Sequence, residues 1–235
     1  MAISETRTFD ADQTISAEGK HGERIHAVLD GWAARVKILE NGSRQIPMLM
    51  LPGDICDLAA LHLDRLDFGT VAITRCTVMT FEREKLRAAI DRGRTLRDAF
   101  ARMMAIENAL AMQWTVCLGR RTARERLAHL LCELWARLNA VGAAQGDSFA
   151  FPLTQEELAD VLGLTAVHVN RTLQSLRIEG LIQLAEHRLT IANRAALAQL
   201  GAFDGKCLHL PPEQRVTWEQ PAFARPTSVS RYQEA

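Results

Sequence analysis

An α+β fold is predicted by three stretches of this chain that differ in their apolar period. Between residues 9 and 81, short alternating runs are broken by Gly31, Asn41-Gly42, Pro52-Gly53-Asp54 and Phe68-Gly69. Many short strands with such punctuation imply an N-terminal antiparallel β-roll. From about residue 95 to residue 118, Leu96, Phe100, Met103, Leu110, Trp114 and Cys117 recur at four-three spacing, which marks one face of a long helix. Over residues 152–182 two short helical patterns flank Gly163, and two short β patterns follow, as in a C-terminal winged helix-turn-helix. The expected units are a roll over 1–92, a dimerisation helix over 93–118, a DNA-binding domain over 119–201 and a disordered tail over 202–235. The tail is assigned from its prolines and lack of period, with Trp218, Phe223 and Tyr232 as candidate anchors for a partner.

Taking the elements in order, the roll begins almost at once and encloses a pocket of the kind that holds a small ligand. Its turn at Pro52-Gly53-Asp54 leads into Cys56, Asp57 and Leu58, the candidate effector-pocket residues. The long helix follows. Its apolar face reads as a two-stranded coiled-coil seam, on which Glu107 interrupts the apolar series, and a two-fold homodimer is expected. Gly119 is expected to end this helix, and the Thr122 to Glu125 capping box to start the next, leaving a hinge between them. Arg120, Arg121, Arg124 and Arg126 cluster there, either close to DNA phosphate or, the preferred reading, as a solvated helix start with Glu125 as counter-charge.

The helix pair is the richest part of the chain. Thr154 and Glu157 form a capping box, and Leu158, Val161 and Leu162 give the first helix its apolar face. Gly163 breaks it and Thr165 caps the second helix, where Val169, Leu173 and Leu176 form the buried stripe. Ala166, Val167, Asn170, Arg171 and Gln174 therefore point away, the face that a recognition helix lays into the major groove. Arg171 has the shape to donate two hydrogen bonds to guanine, and Asn170 to read adenine, while Val167 and Ala166 suit a thymine methyl. Thr165, His168, Gln155 and, in the wing, Arg188 are better placed for phosphate. Leu181 to Ala185 and Arg188 to Ile191 read as the wing strands, turning at Glu186-His187, before a closing helix from Asn193 to Leu200.

Composition narrows the function. At 235 residues with a formal net charge of zero, the chain is long enough for two domains and must concentrate any DNA-binding charge locally. Its five cysteines lack metal-site spacing, and His21, His26 and His62 form no ligand pattern, so no metal is expected. No nucleophile elbow, phosphate loop or paired metal motif indicates an enzyme. No apolar run is long enough for a membrane span and no signal segment follows Met1, so the expected location is cytoplasmic.

The segment LTQEELADVLGLTAVHVNRTLQSLRIEGLI, with VLDGWAARVKIL and LPGDICDL upstream, resembles the Crp/Fnr family of bacterial transcription regulators over roughly residues 5 to 200. The resemblance implies a cyclic-nucleotide-binding-like jelly roll, dimerisation through the long helix, an inverted-repeat operator in double-stranded DNA, and RNA polymerase as a further partner. It also exposes departures. Where nucleotide-binding members carry Gly-Glu-Leu and then an Arg-Ser or Arg-Thr pair, this chain has Cys56-Asp57-Leu58 and Asp67-Phe68-Gly69, and Ala111 and Met112 replace hydroxyls that would touch the base. Cyclic AMP is therefore not the expected effector. Iron-sulfur members use N-terminal cysteines, and none precedes Cys56 here, so no cluster is expected. With Val167 in place of the family glutamate and Ala166 in place of an arginine, the operator is expected to differ from the common half-site. The alternative is a small-molecule sensor whose roll ligand gates a weak DNA-binding module.

Overall fold

The computed structural model describes residues 4–216 and 218. Seven strands build the roll: β1 (Ser4–Phe9), β2 (Thr14–Ser16), β3 (Arg24–Asp30), β4 (Ala33–Ile38), β5 (Arg44–Met50), β6 (Gly69–Ala72) and β7 (Cys76–Glu82). They pair antiparallel in two sheets, ordered β1-β7-β3 and β2-β6-β4-β5, with Val28, Ala33, Met50, Cys56, Ala72 and Val78 buried together. Gly31 makes the β3–β4 turn possible. Its φ is +82°, and a Cβ there would lie 2.3 Å from the Arg75 carbonyl, so both backbone strain and a clash exclude other residues.

Helix α1 (Arg83–Arg92) ends at Gly93, and α2 (Arg94–Arg120) then runs unbroken through Gly119. The expected break at Gly119 is thus displaced to Arg121 and Thr122. The Thr122–Glu125 capping box is formed as expected and starts α3 (Ala123–Ala140). This helix is buried on nearly every side, with Leu127 through Ala136 all buried, His129 and Glu133 among them, as befits a central helix packed from several directions.

The remaining elements complete a winged module: β8 (Ala144–Gln145), β9 (Ser148–Ala150), α4 (Gln155–Leu162), α5 (Ala166–Ile178), β10 (Ile182–Ala185), β11 (Arg188–Ile191) and α6 (Arg194–Leu200). The wing sheet is ordered β10-β11-β9-β8, two strands larger than the sequence pattern shows. Glu186 and His187 both have positive φ, the twist that a two-residue hairpin turn requires.

Two expectations are corrected. The long helix does not present Leu110, Trp114 and Cys117 as a dimer seam. These side chains are buried in one cluster with Leu127, Leu130 and Leu131 of α3, while Phe100 and Met103 pack against the roll cluster around Leu58 and Leu61, and Leu96 is half-buried. The bulky residues serve the chain's own core because burying them there removes the most apolar area from water. A second stripe, Ala101, Met104, Asn108, Ala111 and Thr115, keeps four-three spacing on the opposite, exposed face. Nor is the segment after residue 201 wholly a tail. Phe203 is fully buried, 3-10 turns occupy Lys206–Leu208 and Pro212–Gln214, and Trp218 packs edge-on against Trp135 with ring centroids 5.3 Å apart. Phe223 and Tyr232 lie outside the described residues.

Roll and winged module are joined by a buried polar network. Arg137 of α3 donates to the Leu49 carbonyl at 2.9 Å, to Asp54 at 2.5 Å and to Glu133 at 3.1 Å, and Glu133 also accepts the Trp114 indole N–H at 2.8 Å. Burial pushes the Glu133 carboxyl up, opposed by Arg137 and the indole, while Asp54 and Glu133 outweigh the effect of burial on Arg137 and hold its guanidinium charged. At the edge of the contact, Arg44 pairs with Asp160 of α4 at 2.6 Å. Among the described residues no helix is long and apolar enough to cross a membrane.

Candidate nucleic-acid interface

Helix α4 starts at Thr154, whose hydroxyl accepts the Glu157 N–H at 3.1 Å while the Glu157 carboxylate accepts the Thr154 N–H at 2.7 Å. It ends on Gly163, whose φ of +62° provides the left-handed C-cap. Thr165 then caps α5 by accepting the His168 N–H at 3.3 Å. Val169, Thr172, Leu173 and Leu176 are buried, Val169 and Leu173 against the α4 core, so the opposite side of α5 is open by necessity. Val167 is 63% exposed, and Arg171 and Gln174 are exposed beside it. Ala166 and Asn170 are half-buried on the flank. Arg171 makes no ion pair or side-chain hydrogen bond with any described residue, which leaves its five donors available.

An open groove connects this face to the start of α3, lined by Thr122, Ala123, Arg124, Thr165, Val167, His168, Arg171, Thr172 and Ser175. The basic cluster therefore divides into different roles. Arg126 donates to the Leu162 and Arg121 carbonyls at 2.6 and 3.0 Å, tying α3 to the end of α4. Arg124 instead lines the groove, held by Glu179, whose other oxygen accepts from Ser175 at 2.7 Å. Gln155 is exposed at the first position of α4, and Arg188 is exposed in the wing, where it donates to Gln145 at 3.0 Å. Ile178, exposed at the end of the outward face, was missed because an apolar residue there reads as core.

The roll pocket lies between the β4–β5 hairpin, the 3-10 turn Leu58–Leu61 and α2. Its volume is about 310 Å³, and its lining includes Arg35, Leu58, Phe68, Glu107, Asn108 and Ala111. Of the expected effector-pocket residues, only Leu58 lines it. Asp57 turns inward, accepting the His26 backbone N–H at 2.8 Å and facing its Nδ1 at 2.5 Å, because a buried carboxylate needs a partner more than an opening to solvent. Cys56 is buried, and that burial pushes its thiol well up, reinforced by Asp57.

Arg35, not foreseen from sequence, is the one cation among the described lining residues. It donates to the Cys56 carbonyl through Nε at 3.2 Å and Nη2 at 2.8 Å, and its Nη1 pairs with Glu107. Glu107 thus faces the roll and not a dimer seam. A cyclic phosphate placed here would meet a carboxylate and an arginine already neutralised, so these residues do not fit a cyclic nucleotide.

Comparison with known proteins agrees with this architecture. The family described as "Cyclic nucleotide-binding domain" matches residues 6–92, and "Crp-like helix-turn-helix domain" matches residues 125–200. The chain is 30% identical to the transcriptional activator protein FnrL of Cereibacter sphaeroides over 188 residues, 79% of this chain and 75% of that protein. It is 30% identical to the nitrogen fixation regulation protein FixK of Bradyrhizobium diazoefficiens over 196 residues, 83% of this chain and 81% of that one. The solved structure of FixK2 from Bradyrhizobium japonicum superposes with a TM-score of 0.78 at 27% identity, covering 85% of this chain and 98% of that one. Roll, long helix and winged helix-turn-helix, in this order and with these relatives, place the chain in the Crp/Fnr family of DNA-binding transcription regulators.

Proposed function

We propose that the protein acts in the cytoplasm as a homodimer that reads an inverted-repeat operator with α5, without cyclic AMP. The observation that carries this reading is the open side of α5, where Arg171, with no partner among the described residues, stands between Val167 and Gln174. Arg171 donates to guanine, Asn170 and Gln174 offer amides to adjacent base edges, and Val167 and Ala166 supply apolar contact to thymine. Thr165, His168, Gln155 and Arg188 hold phosphates around that face, joined by Arg124 across the groove. Pairing of two chains along Ala101, Met104, Asn108, Ala111 and Thr115 sets the two α5 helices on successive major-groove faces, about 34 Å apart. Asn108 within that stripe fixes register at some cost in stability.

The name of FnrL as a transcriptional activator supports a contact with RNA polymerase. A ligand-gated variant has one observation in its favour: Met104, Asn108 and Ala111 line the roll pocket and also belong to the exposed stripe, so a bound molecule would touch the dimer seam. Enrichment of a randomised duplex library on the ligand-free protein, with light scattering of the complex, tests the reading. A palindromic winner bound by two chains is expected. An enriched site without two-fold symmetry, or none without an added ligand, would overturn it.

A further inference from the structure

The Crp-like helix-turn-helix match stops at residue 200, yet the chain continues as an ordered segment that touches both halves of the molecule. On one side it is pressed into the winged module. A Cβ at Gly201 would lie 2.5 Å from the His129 backbone nitrogen, so this backbone lies directly against α3. Phe203 is fully buried, edge-on to His129 and to Trp218 with centroids 5.0 Å away in each case, and Trp218 continues the stack onto Trp135. On the other side the segment is fastened to α2. Arg121 donates to the Ala202 carbonyl at 3.3 Å and Arg102 to the His209 carbonyl at 2.8 Å, so the segment runs antiparallel to the helix. Between these two bonds, Leu208 and the half-buried Cys207 join the cluster that contains Ile106 and Leu110 of α2.

We propose that residues 201–216, with Trp218, form a strap that fixes the angle between the dimerisation helix and the DNA reader. The covalent link between them is only the break at Arg121 and Thr122, where the backbone leaves the helical region, and a two-residue break permits rotation. The strap is bonded to Arg121 at that break and to Arg102 further back along α2. With one face buried on α3 and the other hydrogen-bonded to α2, it adds to the packing of Leu110, Trp114 and Cys117 on α3, stops the rotation and holds both readers at the spacing an inverted repeat requires, with no effector. This rests on the proposed dimeric reading of a palindrome.

The test compares the full-length protein with a chain ending at Gly201 and with an Arg102→Ala, Leu208→Ala variant. Each is titrated with the enriched palindrome and with a duplex holding one half-site. The strap requires that both variants keep half-site affinity and lose about tenfold of the preference for the palindrome, a typical size for coupling between domains. An unchanged ratio in both variants would overturn the proposal. If the truncated chain also loses half-site binding, its reader has lost its fold without Phe203, and the ratio in the double variant decides alone. A full-length protein with no preference for the palindrome would instead sink the dimeric reading.

Discussion

Acidification should weaken this fold through His129, and the size of the effect follows from its surroundings. The ring is buried in α3 with Trp114 edge-on at 6.1 Å and Phe203 at 5.0 Å, its Nδ1 lies 3.0 Å from the Gly201 carbonyl, and its Nε2 has no partner among the described residues. Burial, aided by the Arg121 charge and opposed by the Gly201 carbonyl and Asp204, pulls its pKa from 6.5 down to about 4. The folded protein thus holds the ring neutral while the unfolded chain takes up a proton below the ordinary value. Stability contributed by neutral His129 is present above pH 6.5 and is lost as the pH falls toward 4. At about 1.4 kcal/mol per pH unit, the loss is about 2 kcal/mol between pH 7 and pH 5, and about 3 kcal/mol by pH 4. Urea unfolding of wild type and His129→Gln at pH 7 and pH 5 reads this directly. Glu133, held up by burial, and Glu125, held down chiefly by its hydrogen bond with the Thr122 backbone, also contribute, but equally in both proteins. The variant should lose about 2 kcal/mol less than wild type over that interval. Equal losses would refute the assignment of a buried neutral imidazole.

Three further outcomes are expected. Gly201→Ala forces a methyl into the His129 backbone and should destabilise by about 1–3 kcal/mol, measured by thermal unfolding at neutral pH. Ala111→Glu sets like charges against each other across the α2 stripe and should give a monomer by light scattering, whereas substitution of the buried Leu110 to Ala should destabilise the chain by about 2–5 kcal/mol through a core cavity. Cyclic AMP should leave the melting temperature unchanged, since a ligand at a hundred times its Kd would add about 2.7 kcal/mol of stability.

What was legible in the sequence was local. The caps at Thr122, Thr154 and Thr165 and the left-handed Gly163 each rest on residues within one helical turn, and each formed as expected. The helix α2 shows where that reasoning fails. It carries two faces with four-three spacing, and periodicity does not say which is covered by the chain's own α3. Partners distant in sequence were also invisible: Arg35 finds Glu107, Asp57 turns to His26, and Arg137 reaches Asp54 only after the roll and α3 have come together. The strap was misread because its anchors, Phe203, Leu208 and Trp218, repeat with no period. The short strands β8 and β9 offer too few residues for alternation to register.

The central claim is that an exposed Arg171 reads a base. Its most direct test is the affinity of wild type and Arg171→Ala for the enriched palindrome and for duplexes with each guanine of the half-site replaced. Wild type should lose about 1–3 kcal/mol at one guanine per half-site, and the variant should bind all duplexes weakly and alike at that position. If Arg171→Ala still distinguishes that guanine as wild type does, base reading by this face of α5 is contradicted.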